Sequence, residues 1–324
     1  MEYASLGNTD LPVSRIAFGC WSIGGHGWGS VDDAQSIAAL HRALDCGVSL
    51  FDTADVYGFG HSERIVGSAL SSARQHVSVA TKVGVRWDSM GRTSRDCSPA
   101  YVVEAVECSL RRLQRDRVDL CQIHWPDPAT PIADTLGALA RCRDQGKIGH
   151  IGCCNFSSND LRAACRCTSI VSLQWPYNLI DRRIEQSLLS ACAECQVSVL
   201  AYSPLGQGFL TGQYDPAVAF EDEDIRHRSV YFRTDAYPGQ IELLRRLKTV
   251  GDRHGRSAAQ VAIRWVLENR AIASALVGIK SAAHVEEDTR IDWFLSREEY
   301  EWLTASHPGV PAATVPPRHR PVWS

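Results

Sequence analysis

The stretch FDTADVYGFGHSE, residues 51 to 63, sets a carboxylate at Asp52 and a phenol at Tyr57 five positions apart, directly after the apolar run Val48 to Phe51. Two more ionisable residues close later apolar runs: Lys82 ends VSVATK (77 to 82) and His124 ends VDLCQIH (118 to 124). An acid, a phenol, an amine and an imidazole are the parts of a proton-delivery device. A free phenol has a pKa of about 10 and donates poorly until a nearby cation stabilises its anion. Lys82 is such a cation, Asp52 a counter-charge that holds it, and His124 a group that directs a substrate oxygen. Tyr57 then protonates an alkoxide as it forms on a carbonyl carbon. The partner of that proton is a hydride, which implies a nicotinamide cofactor. Each residue also has an ordinary reading. Asp52 can open a turn that Gly58 and Gly60 continue, Ser62 can cap the next helix, Lys82 can be a solvated strand end and His124 a satisfied histidine. Joint placement decides between the two readings, and placement is a matter of fold.

After a hairpin through Gly7-Asn8-Thr9-Asp10, eight short apolar runs read as strands: 15–19, 48–52, 77–82, 118–124, 148–153, 171–174, 197–202 and 271–278. Segments of helical period fill the intervals at 32–47, 62–70, 98–113, 132–145, 158–167, 183–195, 240–254 and 258–269. The third is the clearest, with Ser98 at the N-cap, Pro99 at the first helical position and a stripe of Val102, Ala105, Val106, Leu110 and Leu113. This alternation predicts the α/β class, a (β/α)8 TIM barrel with an N-terminal β-hairpin and long loops on the C-terminal face. No linker divides the chain, so a single domain over 1–324 is expected. Residues 206–239 form a connection of lid or clamp length, and about 308–324 a proline-rich irregular tail.

Barrel enzymes build their sites at the C-terminal ends of the strands. In order from the second strand, those ends carry Asp52, Lys82, His124, Cys154-Asn155, Gln174, Tyr202-Ser203 and Gly278. Neighbouring strand ends lie about 5 Å apart, so the side chains of the second to fourth strands can meet, and a buried Asp52 and Lys82 would pair. The dinucleotide fingerprint GxGxxG is absent, because GGHGWG (24–29) has its glycines in the wrong order. The cofactor therefore falls to the barrel mouth, where Asn155 and Gln174 suit a carboxamide and Tyr202 suits an aromatic ring.

Bulk properties narrow the partners. The 324 residues are 44% hydrophobic and 22% charged with a formal net charge of -3, which gives no reason to propose nucleic acid or an anionic membrane. The start MEYASLGNTD lacks a basic, apolar leader, and no apolar run nears the roughly 18 residues of a membrane span. A cytoplasmic location follows as the expectation. Twelve cysteines include Cys192-Ala-Glu-Cys195, but no second paired motif accompanies it, so buried thiols are expected and no metal.

These residues make the sequence resemble the aldo-keto reductase superfamily from about Tyr3 to Arg290. DTADVYGFGHSE is similar to the family's DTAxxYGxxxSE, ATKVG to its lysine strand, HWPD to its histidine motif, IGCCNFS to IGVSNFS and AYSPLGQGFLTG to AYSPLGxGxLTG. The resemblance implies a catalytic tetrad of Asp52, Tyr57, Lys82 and His124, with NADP(H) bound in extended form. It further implies that Asn155 and Gln174 hold the carboxamide, that Tyr202 stacks on the nicotinamide and that Ser203, Pro204, Leu205, Gly206 and Gly208 line the pyrophosphate. FGCW (18–21) resembles the start of subfamilies related to potassium-channel β subunits, placing Gly19, Cys20 and Trp21 beside nicotinamide and substrate. VGIKSAAHVEED is similar to VGARxxxQLEEN and sets Gly278, Lys280, His284, Glu287 and Asp288 around the adenosine end. Four positions depart from the pattern. Cys154 and Cys20 stand where serine and threonine are common, Asp288 replaces an adenine-reading asparagine, and Lys280 stands in for arginine, still favouring a 2′-phosphate and NADPH.

Trp21, Trp87 and Trp125, with Tyr57 and His124, would wall an aromatic substrate pocket. The leading expectation is NADPH-dependent reduction of an aldehyde or ketone, with a small-molecule carbonyl compound as partner and a homo-oligomer left open. Two rivals stand beside it: a nicotinamide-binding regulatory subunit with little turnover, and a metal-dependent barrel hydrolase using Asp52, Asp55 and His124.

Overall fold

The computed structural model describes residues 1–73, 77–214, 218–232, 237–278 and 280–306. Strands β1 (Tyr3–Ser5) and β2 (Pro12–Ser14) pair antiparallel with Ala4 opposite Val13. Between them the chain turns through Gly7, whose φ of 59° suits glycine. Leu6 and Val13 are wholly buried with Ala17, Leu50, Ala80, Leu120 and Leu200, residues of the barrel strands. The hairpin is thus a plug in one end of the barrel.

The barrel follows: β3 (Ile16–Gly19), α1 (Asp33–Asp45), β4 (Leu50–Asp52), α2 (His61–Ala69), β5 (Ser78–Val83), a side hairpin of β6 (Val85–Trp87) and β7 (Thr93–Arg95), α3 (Pro99–Leu113) and β8 (Val118–Ile123). Next come α4 (Ile132–Asp144), β9 (Ile148–Cys154), α5 (Ser158–Cys167), β10 (Ser172–Pro176), α6 (Leu188–Glu194), β11 (Ser198–Tyr202), α7 (Tyr237–His254), α8 (Ala258–Glu268) and β12 (Ile272–Gly278). Helices α9 (Ala282–Asp288) and α10 (Arg297–Thr304) complete the described chain. Strands β3, β4, β5, β8, β9, β10, β11 and β12 close in that order, every neighbouring pair parallel. This is the expected (β/α)8 TIM barrel with its N-terminal hairpin.

Strand periodicity explains how the barrel holds two populations of side chains. Side chains alternate faces with period two, so Phe18, Phe51, Val79, Cys121, Ile151 and Leu173 join the apolar layer packed with the helices. The intervening residues point inward. Low in the barrel these are Leu50, Ala80 and Leu120, and one step higher they are Asp52, Lys82 and Gln122. Register then sets lateral neighbours: Asp52 pairs with Gly19 and Ala80, Lys82 with Gln122, and Cys154 with Gln174.

Helix starts are fixed by caps. Asp32 accepts from Ala34 N and Gln35 N, while Ser157 with Asp160, Ser257 with Gln260 and Ser296 with Glu299 form capping boxes. Ser98 occupies the N-cap of α3 as expected, with no side-chain cap bond and its backbone N–H donating to Asp96 Oδ1. Two local expectations need correction. Ser62 is not the cap of α2, because Gly60 takes that position in the left-handed region and Ser62 Oγ turns inward to donate to Cys20 O. The segment 183–195 breaks into a 3-10 turn, Arg183–Glu185, and α6. The twelve cysteines are all free. The connection 206–239 holds 3-10 turns at Gly206–Thr211, Ile225–Arg228 and Val230–Phe232, and the tail 308–324 lies outside the described residues.

Candidate active site

The inward layer brings the four ionisable residues together. Lys82 Nζ donates to Asp52 Oδ2 at 2.6 Å, to Thr53 O at 2.8 Å and to the Tyr57 hydroxyl at 3.2 Å. An ammonium carries three protons and no lone pair. Tyr57 Oη is therefore the acceptor in its contact with Lys82, and its own hydrogen points elsewhere. Lys82 is wholly buried and Asp52 is 3% exposed, so neither charge would be tolerable there without the other. The His124 ring meets the Tyr57 ring edge-on with centroids 5.8 Å apart, and both residues are buried.

Loop geometry places the phenol. Beyond β4 the chain enters the left-handed region at Gly58, Phe59 and Gly60, with φ of 56°, 53° and 86°. A Cβ on Gly58 would collide with Gly24 O, so glycine is required where the 22–25 turn packs on the Tyr57 loop. Trp21, at the start of that turn, lies stacked on Tyr57 at 6.1 Å.

The environment tunes all three titrating partners. Burial pushes the Tyr57 phenol above its ordinary value, outweighing the pull of the Lys82 charge, so it stays protonated. Burial works against the charge on Lys82, but Asp52 and Tyr57 more than compensate and its pKa ends above the usual range. Burial and the Lys82 charge hold His124 well below 6.5, leaving a neutral imidazole. A protonated phenol, a fixed cation behind it and a neutral imidazole beside it can grip a carbonyl oxygen and protonate it as negative charge develops.

Asp52 has a second attachment absent from the expectations above. Its Oδ1 accepts from Gln174 Nε2 at 2.7 Å and from Gln122 Nε2 at 3.3 Å. Gln122 is wholly buried and receives the Cys154 thiol at 3.7 Å on its own Oε1. Strand alternation was the available signal, since Gln122 stands two residues before His124.

The residues expected around a nicotinamide split into two groups. Asn155 (φ 60°) donates to His124 O at 3.0 Å and accepts from the Tyr202 hydroxyl at 2.9 Å, next to Gln174 and Cys154. Cys20 donates its backbone N–H to Asp52 O, and its buried thiol lies 3.7 Å from Phe18 O. Gly19 and Gly278 face each other across β3 and β12, where a Cβ on Gly19 would meet Val277 O at 3.2 Å. Then comes the turn Ser203, Pro204, Leu205 and Gly206, with Ser203, Gly206, Gln207 and Gly208 all left-handed. Within the turn Gly206 N donates to Ser203 O and Gly208 N to Leu205 O, so the backbone is folded tightly back on itself at the end of β11.

Lys280, His284, Glu287 and Asp288 form the second group, in α9 and just before it. Lys280 Nζ lies 5.4 Å over the Trp28 ring, with burial and nearby Arg226 lowering its pKa. His284 N–H donates to the helix-capping Ser281, Glu287 O accepts from Gln260, and burial raises the Asp288 carboxyl to about 7. The amide pair Asn155 and Gln174 and the separate cation Lys280 fit the two ends of a nicotinamide dinucleotide.

Of the aromatic residues, Trp125 is buried with Tyr57, while Trp87 stands further out, its ring 6.1 Å from Phe59. Asp55 is buried with Glu63 and Arg112 as its strongest charged neighbours, and its carboxyl is pushed well above the usual range by burial. No group of three or more His, Cys, Asp or Glu side chains among the described residues can hold a metal ion.

Comparisons with known proteins give the family and the fold. The Aldo/keto reductase family profile matches residues 15–305. Aldo-keto reductase YhdN of Bacillus subtilis is 36% identical, covering 98% of this chain and 98% of its own length. The NADH-specific methylglyoxal reductase of Escherichia coli is 33% identical over 89% of this chain and 92% of its own. Among solved structures, the glycerol dehydrogenase AKR11B4 from Gluconobacter oxydans superposes with a TM-score of 0.87 at 35% identity, covering 95% of this chain and 97% of that one. The chain belongs to the aldo/keto reductase family.

Proposed function

We propose that the protein is an NADPH-dependent carbonyl reductase converting an aldehyde or ketone to its alcohol. The observation that carries this reading is the Lys82 ammonium shared between Asp52 and the Tyr57 hydroxyl inside a buried site. A bound nicotinamide would supply hydride to the carbonyl carbon. Tyr57 donates the proton to the substrate oxygen, Lys82 stabilises the phenolate left behind, and neutral His124 directs that oxygen. In the reverse direction Tyr57 is the base. Asn155, Gln174 and Tyr202 would hold the nicotinamide end, Ser203 to Gly208 the pyrophosphate, and Lys280 a 2′-phosphate. The relatives' own names describe enzymes, which favours turnover over a regulatory subunit of the potassium-channel β type.

Tyr57→Phe tests the acid. It should lower kcat by about 10²-fold or more while NADPH still binds, as followed by tryptophan fluorescence quenching; undiminished turnover rejects the assignment. Lys280→Ala should weaken NADPH more than NADH in the same titration, and equal weakening removes the phosphate contact.

A further inference from the structure

Twelve free thiols are many for one chain, and the proton chemistry at Tyr57 calls on none of them. Seven are buried in the core, out of reach of any oxidant in solution. Five remain. Three of these have partners other than sulfur: Cys46 lies by the Arg42 guanidinium, Cys108 Sγ accepts from Arg111 Nη2 at 2.9 Å, and Cys167 Sγ donates to Ala163 O at 3.3 Å. The last two have each other. The thiol of Cys165 is hydrogen-bonded to the thiol of Cys195, and both residues are half-buried.

Helix packing makes this pair a built feature. Cys165 stands in the last turn of α5, Cys195 is the C-cap of α6, and the two helices pack side by side. An ion pair clamps them in register beside the sulfurs: Arg162 Nε donates to Glu194 Oε2 at 2.7 Å and Arg162 Nη2 to Glu194 Oε1 at 3.0 Å. Residues three apart share a helix face, so Arg162 and Cys165 lie on the same side of α5. The Arg162 guanidinium is also close enough to the Cys195 sulfur to interact with its charge. Cys192, one turn back on α6, is 1% exposed and shielded by these groups. Helices of this barrel run back from the strand ends, so their C-termini gather at the closed end. Gly7 of the plug accordingly donates to Ser198 Oγ, three residues after Cys195.

Sulfurs already in contact are a side-chain rotation away from a bond, and the clamped helices need not shift to make it. The reaction partner is a low-molecular-weight disulfide. One protein thiol loses its proton and attacks a sulfur of that disulfide, expelling one small thiolate; the second protein thiolate then attacks the mixed disulfide and expels the other. The protein pair gives up two electrons and two protons, and the small disulfide is reduced to two thiols. Burial, and after it the contact with Cys195, pushes the Cys165 thiol up to about 12. Thiolate is the attacking species, so closure is slow near neutral pH and quickens in alkali.

We propose that Cys165 and Cys195 are an oxidisable dithiol, a modification site that low-molecular-weight disulfides close to an intramolecular bond stapling α5 to α6. The staple encloses β10, the strand that carries Gln174, within a covalent loop. Closing a loop of that length removes freedom from the unfolded chain and so stabilises the folded one.

The experiment incubates the dilute wild-type chain with glutathione disulfide at about pH 8.5, where thiolate is plentiful, and maps its peptides without reduction by mass spectrometry. A peptide pair joined through Cys165 and Cys195 should appear and vanish on reduction. A bond from Cys165 to Cys192 or Cys153, glutathione left attached to either residue, or two thiols that stay free would each overturn the proposal. Because this arm uses the wild type alone, a variant that folds poorly cannot decide it. A second arm follows thermal unfolding of the wild type, Cys165→Ser and Cys195→Ser with and without the oxidant. Closure should raise the wild-type Tm by about 4 °C or more and leave both variants unmoved. A mapped bond with no rise in Tm, or an equal rise in the variants, refutes the staple.

Discussion

Gln122 shows how much a single amide can govern. A carboxylate facing a lysine has a second oxygen to satisfy, and here Gln122 and Gln174 share it. Gln122→Met keeps the volume but deletes one donor to Asp52; hydrogen bonds to charged groups contribute about 1.5–3 kcal/mol. We expect kcat to fall about tenfold on that basis, with NADPH affinity nearly unchanged. Gln122→Glu gives a sharper signature. Two facing carboxylates raise one another's proton affinity, and only the protonated glutamic acid can donate to Asp52 as the amide does. Activity of that variant should rise as pH falls. The wild type should instead be level from about 6.5 to 10, because Tyr57 is held above 10.0 and His124 below 6.5. A level profile in Gln122→Glu would show that the amide does not act through Asp52. The sequence disclosed Asp52, Lys82 and His124 because charge at the end of an apolar run is conspicuous. A glutamine one pleat below the histidine is not, although period two points to it.

Among the elements, α9 and the hairpin β6–β7 were the least legible, for the same reason. Each is short and carries few apolar residues, so neither 3.6-residue nor two-residue periodicity stands out. Their structure comes from contacts made elsewhere: the Asp88 tip holds the hairpin, and Ser281 caps a seven-residue helix whose Val285 and Asp288 are buried. Asp288 leads to a stability prediction. Burial raises its carboxyl from 3.8 to about 7, so between those values the folded chain keeps a proton that the unfolded chain has lost. Its stabilising share is complete at low pH and disappears as pH rises through about 7. Asp288→Asn, which cannot ionise, should therefore raise the melting temperature more at about pH 8 than at about pH 5. An equal shift at both values would contradict an ionising buried carboxyl.

At the scale of the molecule, the plug and the candidate site occupy opposite ends of one barrel, the usual division of stability and chemistry in this fold. Leu6 of the plug is wholly buried among Ala17, Leu50 and Leu120, one pleat or more below the tetrad. Leu6→Ala should cost about 2–5 kcal/mol of stability, read by denaturant unfolding, while kcat per folded molecule stays close to wild type. A large fall in kcat would mean that the plug shapes the site. The barrel itself was legible because eight apolar runs alternate with amphipathic segments. The breaks in that rhythm were harder to read: 183–195 contains a 3-10 turn whose apolar spacing imitates one continuous helix.

The plug also fixes how the molecule can be held. Glu2 O accepts from Arg15 N, Glu2 Oε1 meets Arg264 and the Tyr3 hydroxyl donates to Gly47 O, so the front of the chain is fastened at the end away from Tyr57. Anything joined there hangs from the closed side. A bead, electrode or fusion partner attached through residue 1 would leave the strand ends that carry Asp52, Lys82 and His124 facing the surrounding liquid, and the tethered protein should turn over substrate at nearly the rate of the free one.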